Sequence, residues 1–308
     1  MKIVISEFMD TAAVDTLKTS FTVVYDPSLV DQPGALHDAI AEADALIVRN
    51  RTQVNEALLT KGPRLKVVGR LGVGLDNIDV PQCTERGITV IPATGANSQA
   101  VAEYVIGTAM MLLRASYQST QEVSQGQWPR QALSAGREIH GKTLGLVGFG
   151  AIGQLTARLA QGLGMQVIAH DPALKHDADI WRDTHVSPHS LEAVLQHADV
   201  VSLHVPLLET TRHLINAQRL QMMKSDAILI NTARGGIVDE HALASALREG
   251  HLGGAAIDVF DQEPLPAGNI FDGVPRLVLT PHIAGVTHES NIRVSELIAD
   301  KVAHALTR

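Results

Sequence analysis

Three residues in the last third of this chain could do acid–base chemistry beside a carboxylate: Arg234, Glu263 and His282. Each follows a short apolar run that reads as a strand. Ala227–Asn231 leads into Thr232-Ala233-Arg234-Gly235-Gly236, Ala255–Val259 runs through Asp258 towards Glu263, and Leu277–Leu279 stops just short of His282. An imidazole exchanges protons near neutral pH. A buried carboxylate beside it favours the imidazolium and fixes the ring, and arginine offers a rigid two-pronged fork for a carboxylate. Taken singly, each has a plainer reading: a solvated histidine, a surface-turn arginine, a loop acid before Pro264. The weight lies in the set, on successive strand ends of one series.

That series opens with a glycine pattern in full context. Leu144–Val147 reads as a buried strand, Gly148-Phe149-Gly150-Ala151-Ile152-Gly153 follows, and Gln154–Ala160 repeats apolar residues at helical spacing. A second strand, Gln166–His170, then ends on Asp171, 18 residues beyond Gly153. This is the arrangement that binds a dinucleotide. Gly148 permits the turn, Gly150 lets the backbone approach a pyrophosphate, and Gly153 lets helix and strand pack closely. The helix N-terminus offers unpaired N–H groups to the phosphates, and Asp171 is set to accept from the ribose hydroxyls. With a nicotinamide cofactor, the Arg, Glu and His set suits hydride transfer to or from a 2-hydroxy acid.

The elements needed to position these groups alternate along the whole chain, the pattern of parallel α/β folds. Lys2–Ile5, Thr22–Tyr25, Ala45–Val48, Val67–Gly69 and Thr89–Ile91 read as strands of a first series, with helices such as Ala12–Lys18 and Ala35–Glu42 between them. A long helix, from Ser98 to about Tyr117, precedes the glycine pattern. Val200–Val205 continues the second series. A closing helix, Ser290–Leu306, has no strand after it and is expected to return to the first domain. The expected division is 1–98 with 284–308 as substrate domain and 99–283 as NAD-binding domain, with a cleft between.

With 308 residues, 45% of them hydrophobic, the chain can form two domains. A net charge of −8 argues against general affinity for nucleic acid or anionic membrane. Cys83 is the sole cysteine, and the 14 histidines show no paired metal-ligand spacing, so no metal site is expected. The N-terminus has no signal-peptide pattern, and the ten apolar-rich residues between Glu103 and Arg114 are too few to span a bilayer. The chain reads as cytoplasmic.

Seven stretches carry a resemblance: GRLGVGLDNID (69–79), NSQAVAE (97–103), KTLGLVGFGAIG (142–153), HVPLLETTRHLIN (204–216), NTARGGIVDE (231–240), GAAIDVFDQEP (254–264) and PHIAG (281–285). In order and spacing the chain resembles the D-isomer-specific 2-hydroxyacid dehydrogenases over essentially its full length. The resemblance implies a Rossmann cofactor domain, a flavodoxin-like substrate domain and NAD as cofactor. It implies that His282 is the acid/base, Glu263 its partner and Arg234 the carboxylate anchor, with Asp258 on the nicotinamide carboxamide. His204, Pro206, Thr232 and Ala233 would complete the cofactor site, Val73 and Gly74 would cradle the substrate carboxylate, and Asn97 would line the pocket. Formate dehydrogenases of this superfamily carry glutamine where this chain has Glu263, so formate is not the expected substrate. A homodimer around the long helix is also implied.

Arg49-Asn50-Arg51 ends the third strand. In the phosphoglycerate dehydrogenase branch, which the chain resembles here, such a segment binds the substrate phosphate, and Arg130 matches a basic position lent across the dimer. The same arginines suit a sulfonate, as in the similar short sulfolactate dehydrogenases. The expectation is therefore a substrate with a second anion. A hydroxypyruvate- or glyoxylate-type reductase is the alternative within the family. An NAD-sensing corepressor is the alternative outside enzymes. The chain stops at Arg308, so control by a C-terminal regulatory domain is not expected.

Overall fold

The computed structural model describes residues 1–115 and 119–307. They form two compact units, Met1–Asn97 with Val286–Arg308, and Ser98–Gly285.

The first unit is a five-stranded parallel sheet of β1 (Lys2–Ile5), β2 (Thr22–Tyr25), β3 (Ala45–Val48), β4 (Val67–Arg70) and β5 (Thr89–Pro92). Its order, β2-β1-β3-β4-β5, is the flavodoxin-like winding. All four residues of β3 are buried, as the continuous run Ala-Leu-Ile-Val requires of a strand covered on both faces. One face carries α1 (Thr11–Lys18) and the C-terminal helix His288–Thr307, whose Val294, Ile298 and Val302 join the same apolar layer as Ile3 and Ile47. Gly69 allows this close approach, since a Cβ there would stand 2.8 Å from Val302 and 2.9 Å from Ile298. The helix opens on a reciprocal cap in which Thr287 and Ser290 exchange backbone-to-hydroxyl bonds. The other face carries α2 (Pro33–Ile40), α3 (Glu56–Lys61) and α4 (Val80–Glu85).

The second unit begins with α5 (Ser98–Arg114) and α6 (Thr120–Ser124), followed by seven parallel strands. These are β6 (Thr143–Val147), β7 (Gln166–His170), β8 (Ser187–Pro188), β9 (Val200–Leu203), β10 (Ile228–Asn231), β11 (Gly254–Ile257) and β12 (Leu277–Leu279). Their order is β12-β11-β10-β9-β6-β7-β8. The winding reverses between β6 and β9, and ligands of such sheets bind at that point, outside the carboxyl ends of the strands. One apolar layer lies under α5 and α7 (Ala151–Gly162), and α8 (Asp179–Asp183) adds Trp181 to it. The other lies under α9 (Leu191–His197), α10 (Ala217–Met222) and α11 (Glu240–Arg248).

Apart from the two-residue β8, which the sequence did not lead one to expect, the differences from expectation lie at element ends. β9 stops at Leu203 rather than Val205, because Val205 precedes Pro206, which has no N–H to donate to a ladder. β11 ends at Ile257 rather than Val259, and the Asp258 side chain turns to bonds of its own. α2 covers Pro33–Ile40 rather than Ala35–Glu42, with proline in its first turn. α5 ends at Arg114, followed by Ala115 at φ +50°. The expected end at Tyr117 falls outside the described residues. Val105, Ile106, Ala109, Leu112 and Leu113 of α5 lie in the apolar layer under α5 and α7, and Met110 is the exposed large hydrophobic residue of the helix. Among the described residues no helix is long and apolar enough to cross a membrane.

Candidate active site

In the second unit, three neighbouring strands deliver the acid–base set. Glu263 accepts the Phe260 N–H on Oε1 at 3.0 Å and the His282 Nδ1–H on Oε2 at 2.7 Å. An ionised carboxylate can only accept, so the imidazole carries its proton on Nδ1 and leaves Nε2 for other chemistry. The two side chains are partly exposed, 42% for His282 and 35% for Glu263. The carboxylate is thus not the buried one that the sequence reading pictured.

Arg234 sits on the turn after β10, half-buried, with Nη1 on the Ala233 carbonyl at 2.6 Å. Buried Asn231 braces this turn, donating to the Arg234 carbonyl at 2.9 Å and accepting the Ala233 N–H at 3.1 Å. Gly235 presses against the next strand's end, where a Cβ would stand 1.9 Å from the Phe260 carbonyl oxygen. Any larger residue would therefore push the arginine turn away from the glutamate turn. Asp258, 1% exposed, accepts Thr280 Oγ1 at 2.6 Å and the Ile283 and Ala284 N–H groups at 2.8 Å each.

Before α7, Gly148 has φ +97°, and a Cβ there would meet the His204 carbonyl oxygen at 2.5 Å. A Cβ on Gly153 would lie 2.5 Å from the Gly148 carbonyl oxygen, so strand, turn and helix close up only with glycine at both positions. Gly150, the N-cap of α7, has nothing within 4 Å of its Cβ position and no side-chain cap. By contrast α9, α10 and α11 are capped by Ser190, Asn216 and Asp239. The N–H groups of the first turn, Ala151 and Ile152 among them, thus lie at an open, uncapped helix end, the natural seat of an anion.

Phe149 points inward and stacks on Trp181 with ring centroids 4.8 Å apart. Asp171 follows β7 and accepts the Phe149 N–H at 2.8 Å and the Ala173 N–H at 2.9 Å, with acceptor sites remaining on both oxygens. His204 contacts buried Ser202 at 3.0 Å through Nε2, and burial pushes its pKa down to about 4, keeping the ring neutral. Pro206 is exposed, and Thr232 Oγ1 is buried without a hydrogen-bond partner. The uncapped helix end, the open ground above Gly150, the placed carboxylate and the orphaned hydroxyl fit a dinucleotide.

In the first unit, Arg49, Val73, Gly74 and Asn97 follow β3, β4 and β5 at one edge of the sheet. Buried Glu7 clamps the arginine loop, its carboxylate accepting the backbone N–H of Arg49 at 2.8 Å, Thr52 at 3.0 Å and Arg51 at 3.1 Å. Asn77 holds the loop from the other side through the Thr52 carbonyl at 2.7 Å. The two arginines then part. Arg51 is exposed and pairs with Asp31 through both guanidinium nitrogens. Arg49 lies over the Phe8 ring at 5.9 Å and donates to Asn291 Oδ1 at 3.0 Å. Burial lowers the pKa of Arg49, with the charge of the Glu7 carboxylate opposing it, and no carboxylate of the described residues forms a salt bridge with it. Val73 is partly exposed, and Asn97 Oδ1 is buried without a partner. Arg130 belongs to the second unit and is exposed beside Trp128.

Sequence reasoning had not singled out Glu7, Asn77, Asn231 or Thr280. An acid or amide that ends an apolar strand, as Glu7 and Asn231 nearly do, is the signal that could have found two of them.

A doubly wound sheet with this glycine turn, and with His, Glu and Arg at neighbouring strand ends, defines a nucleotide-dependent oxidoreductase. The model of the D-isomer specific 2-hydroxyacid dehydrogenase, NAD binding domain, matches residues 106–284. The chain belongs to the D-isomer specific 2-hydroxyacid dehydrogenases and is an NAD-dependent 2-hydroxyacid oxidoreductase. It is 56% identical to an (S)-sulfolactate dehydrogenase of Chromohalobacter salexigens over 304 residues, 99% of this chain and 98% of that one. It is 37% identical over 306 residues to a D-3-phosphoglycerate dehydrogenase of Synechocystis, covering 99% of this chain but 54% of that longer protein. The solved TT0316 protein of Thermus thermophilus superposes with a TM-score of 0.90 at 34% identity, over 100% of this chain and 97% of that one.

Proposed function

We propose that this enzyme interconverts a three-carbon 2-hydroxy acid bearing a C3 sulfonate, of the sulfolactate type, and its 2-oxo acid. NAD, when bound, accepts or supplies the hydride. His282 Nε2 exchanges the proton of the C2 oxygen, taking it in oxidation and returning it in reduction. Glu263 fixes the ring and its tautomer through Nδ1. Arg234 grips the C1 carboxylate, with the backbone at Val73 and Gly74 and the Asn97 amide as further contacts. Gly148–Gly153, His204, Pro206, Thr232 and Ala233 hold the dinucleotide, with Asp171 on the ribose. Asp258 has one acceptor site left on Oδ2, which suits the nicotinamide carboxamide.

The observation that carries the substrate reading is Arg49, a half-buried guanidinium in no salt bridge among the described residues, the nearby Glu7 carboxylate being engaged by the backbone N–H groups of the loop. A desolvated cation is costly unless an anion reaches it. The sulfonate is favoured over a phosphate by the (S)-sulfolactate dehydrogenase relative, which matches nearly end to end. Arg51 already has Asp31, so its share in anion binding is smaller. Arg130 would act from a partner subunit.

Steady-state kinetics with NAD and a panel of 2-hydroxy acids test this. Sulfolactate should show a far lower KM than lactate or glycerate. Arg49→Ala should raise the sulfolactate KM about 10–100-fold, the worth of a hydrogen bond to a charged group, and leave lactate turnover nearly unchanged. Arg51→Ala should act several-fold less. If lactate, glycerate or hydroxypyruvate proves the better substrate, Arg49 is a structural residue. A lower KM for 3-phosphoglycerate would move the assignment to phosphate.

We further read the protein as a cytoplasmic homodimer joined through α5 and the segment after it. Met110, Val123 and Trp128 are exposed by 43%, 43% and 77%, more apolar surface than a solvated segment needs. Sedimentation at micromolar concentration should give the mass of two chains; a monomer mass would rule this out.

A further inference from the structure

His282 has a backbone φ of +56°, a left-handed conformation that a residue with a Cβ holds only when its surroundings compel it. The compulsion comes from Asp258. Its carbonyl oxygen accepts the His282 N–H at 2.8 Å, and its carboxylate accepts Thr280 Oγ1, Ile283 N and Ala284 N. The turn 280–284 is thus folded around one buried acid.

The hydrogen-bond inventory sets the direction of the next link. A carboxylate cannot donate, so the single hydroxyl proton of Thr280 is committed to Asp258. Tyr104 Oη lies 2.6 Å from the same Thr280 oxygen, so the phenol must be the donor there. Burial raises the Tyr104 pKa, which keeps that proton in place. The bonds run one way, from α5 to the acid under the histidine turn.

We propose that Tyr104 is a positioning residue for hydride transfer: its hydroxyl, through Thr280 and Asp258, holds the turn that sets His282 against Glu263. Without the phenol proton, Thr280 loses the donor that orients its oxygen and is free to rotate away from Asp258. The turn then keeps only backbone donors on the carboxylate. A small displacement suffices, since an error of about 1 Å at a reacting group costs ~10²-fold in rate. This rests on His282 being the acid/base.

Tyr104→Phe keeps the ring and removes the hydroxyl. Reduction of the 2-oxo acid should show kcat about tenfold lower, between the worth of one neutral hydrogen bond and a full displacement, with NADH binding by fluorescence unchanged. Thr280→Val should give a similar loss, and Thr280→Ser, which keeps the hydroxyl, should restore kcat to within about twofold of the parent. The double variant Tyr104→Phe/Thr280→Val should be no slower than Thr280→Val alone, because one path is cut twice. Wild-type kcat in Tyr104→Phe beside an inactive His282→Ala would overturn the role of Tyr104 and leave His282 standing. Additive losses would also overturn it, as would Thr280→Ser as slow as Thr280→Val. Full turnover by His282→Ala would remove both assignments.

Discussion

His282→Ala should lose about 10²–10⁴-fold in kcat, the usual worth of general acid–base catalysis, while NADH binds almost as before. The imidazole is held by Glu263 and by its own turn, and neither contact involves the glycine turn at residues 148–153. The loss should therefore appear in turnover and not in the dinucleotide Kd. Glu263→Gln separates proton handling from simple packing. The Gln oxygen can still accept the Phe260 N–H, but its NH₂ then faces Nδ1 and donates where the carboxylate accepted. The ring must turn over or change tautomer, so Nε2 is no longer presented as the carboxylate sets it. Ketone reduction by this variant should therefore lose kcat about tenfold or more, within the usual worth of acid–base positioning. Wild-type turnover in His282→Ala would show that the histidine is only a structural residue, and wild-type kcat in Glu263→Gln would remove Glu263 from positioning the ring.

Asp171→Asn should narrow the preference for NADH over NADPH by about tenfold to a hundredfold. A carboxylate near a 2′-phosphate repels it by about 4 kcal/mol per unit charge at 4 Å and an effective dielectric constant of 20, and exposure to water reduces that figure. Asparagine is the better probe than alanine. The native oxygens also accept the Phe149 and Ala173 N–H groups, and the amide keeps an acceptor for one of them. An unchanged ratio of kcat/KM for the two cofactors would exclude Asp171 from the discrimination.

Much of this protein is legible as sequence because its decisive features are local. Short continuous apolar runs such as Ala45–Val48 and Ile228-Leu229-Ile230 suit strands covered on both faces, and both are strands. Gly153 is forced by a contact within one strand–turn–helix unit, with the Gly148 carbonyl, and Gly148 by the φ of +97° that the turn needs. The Arg, Glu and His residues could be picked out because each stands just past such a run. Element ends were less legible, since the stop of β11 depends on where the Asp258 carboxylate finds its donors.

The long-range pairings were decided by the tertiary structure alone. Arg49 and Arg51 are two positions apart and look alike in sequence, yet Arg51 meets Asp31 while Arg49 meets Asn291, 242 residues away. Glu7 reaches the same loop from a strand end more than forty residues earlier. Tyr104 meets Thr280 across 176 residues because α5 packs in the same unit as the end of β12. Sequence by itself determined the fold class, the cofactor turn and the chemical types at the strand ends, all of which depend on neighbours along the chain. Which cation is already neutralised, and which hydroxyl holds the histidine turn, depends on charges and donors that only the packed sheet brings within about 3 Å, and hydrogen bonds have little reach beyond that.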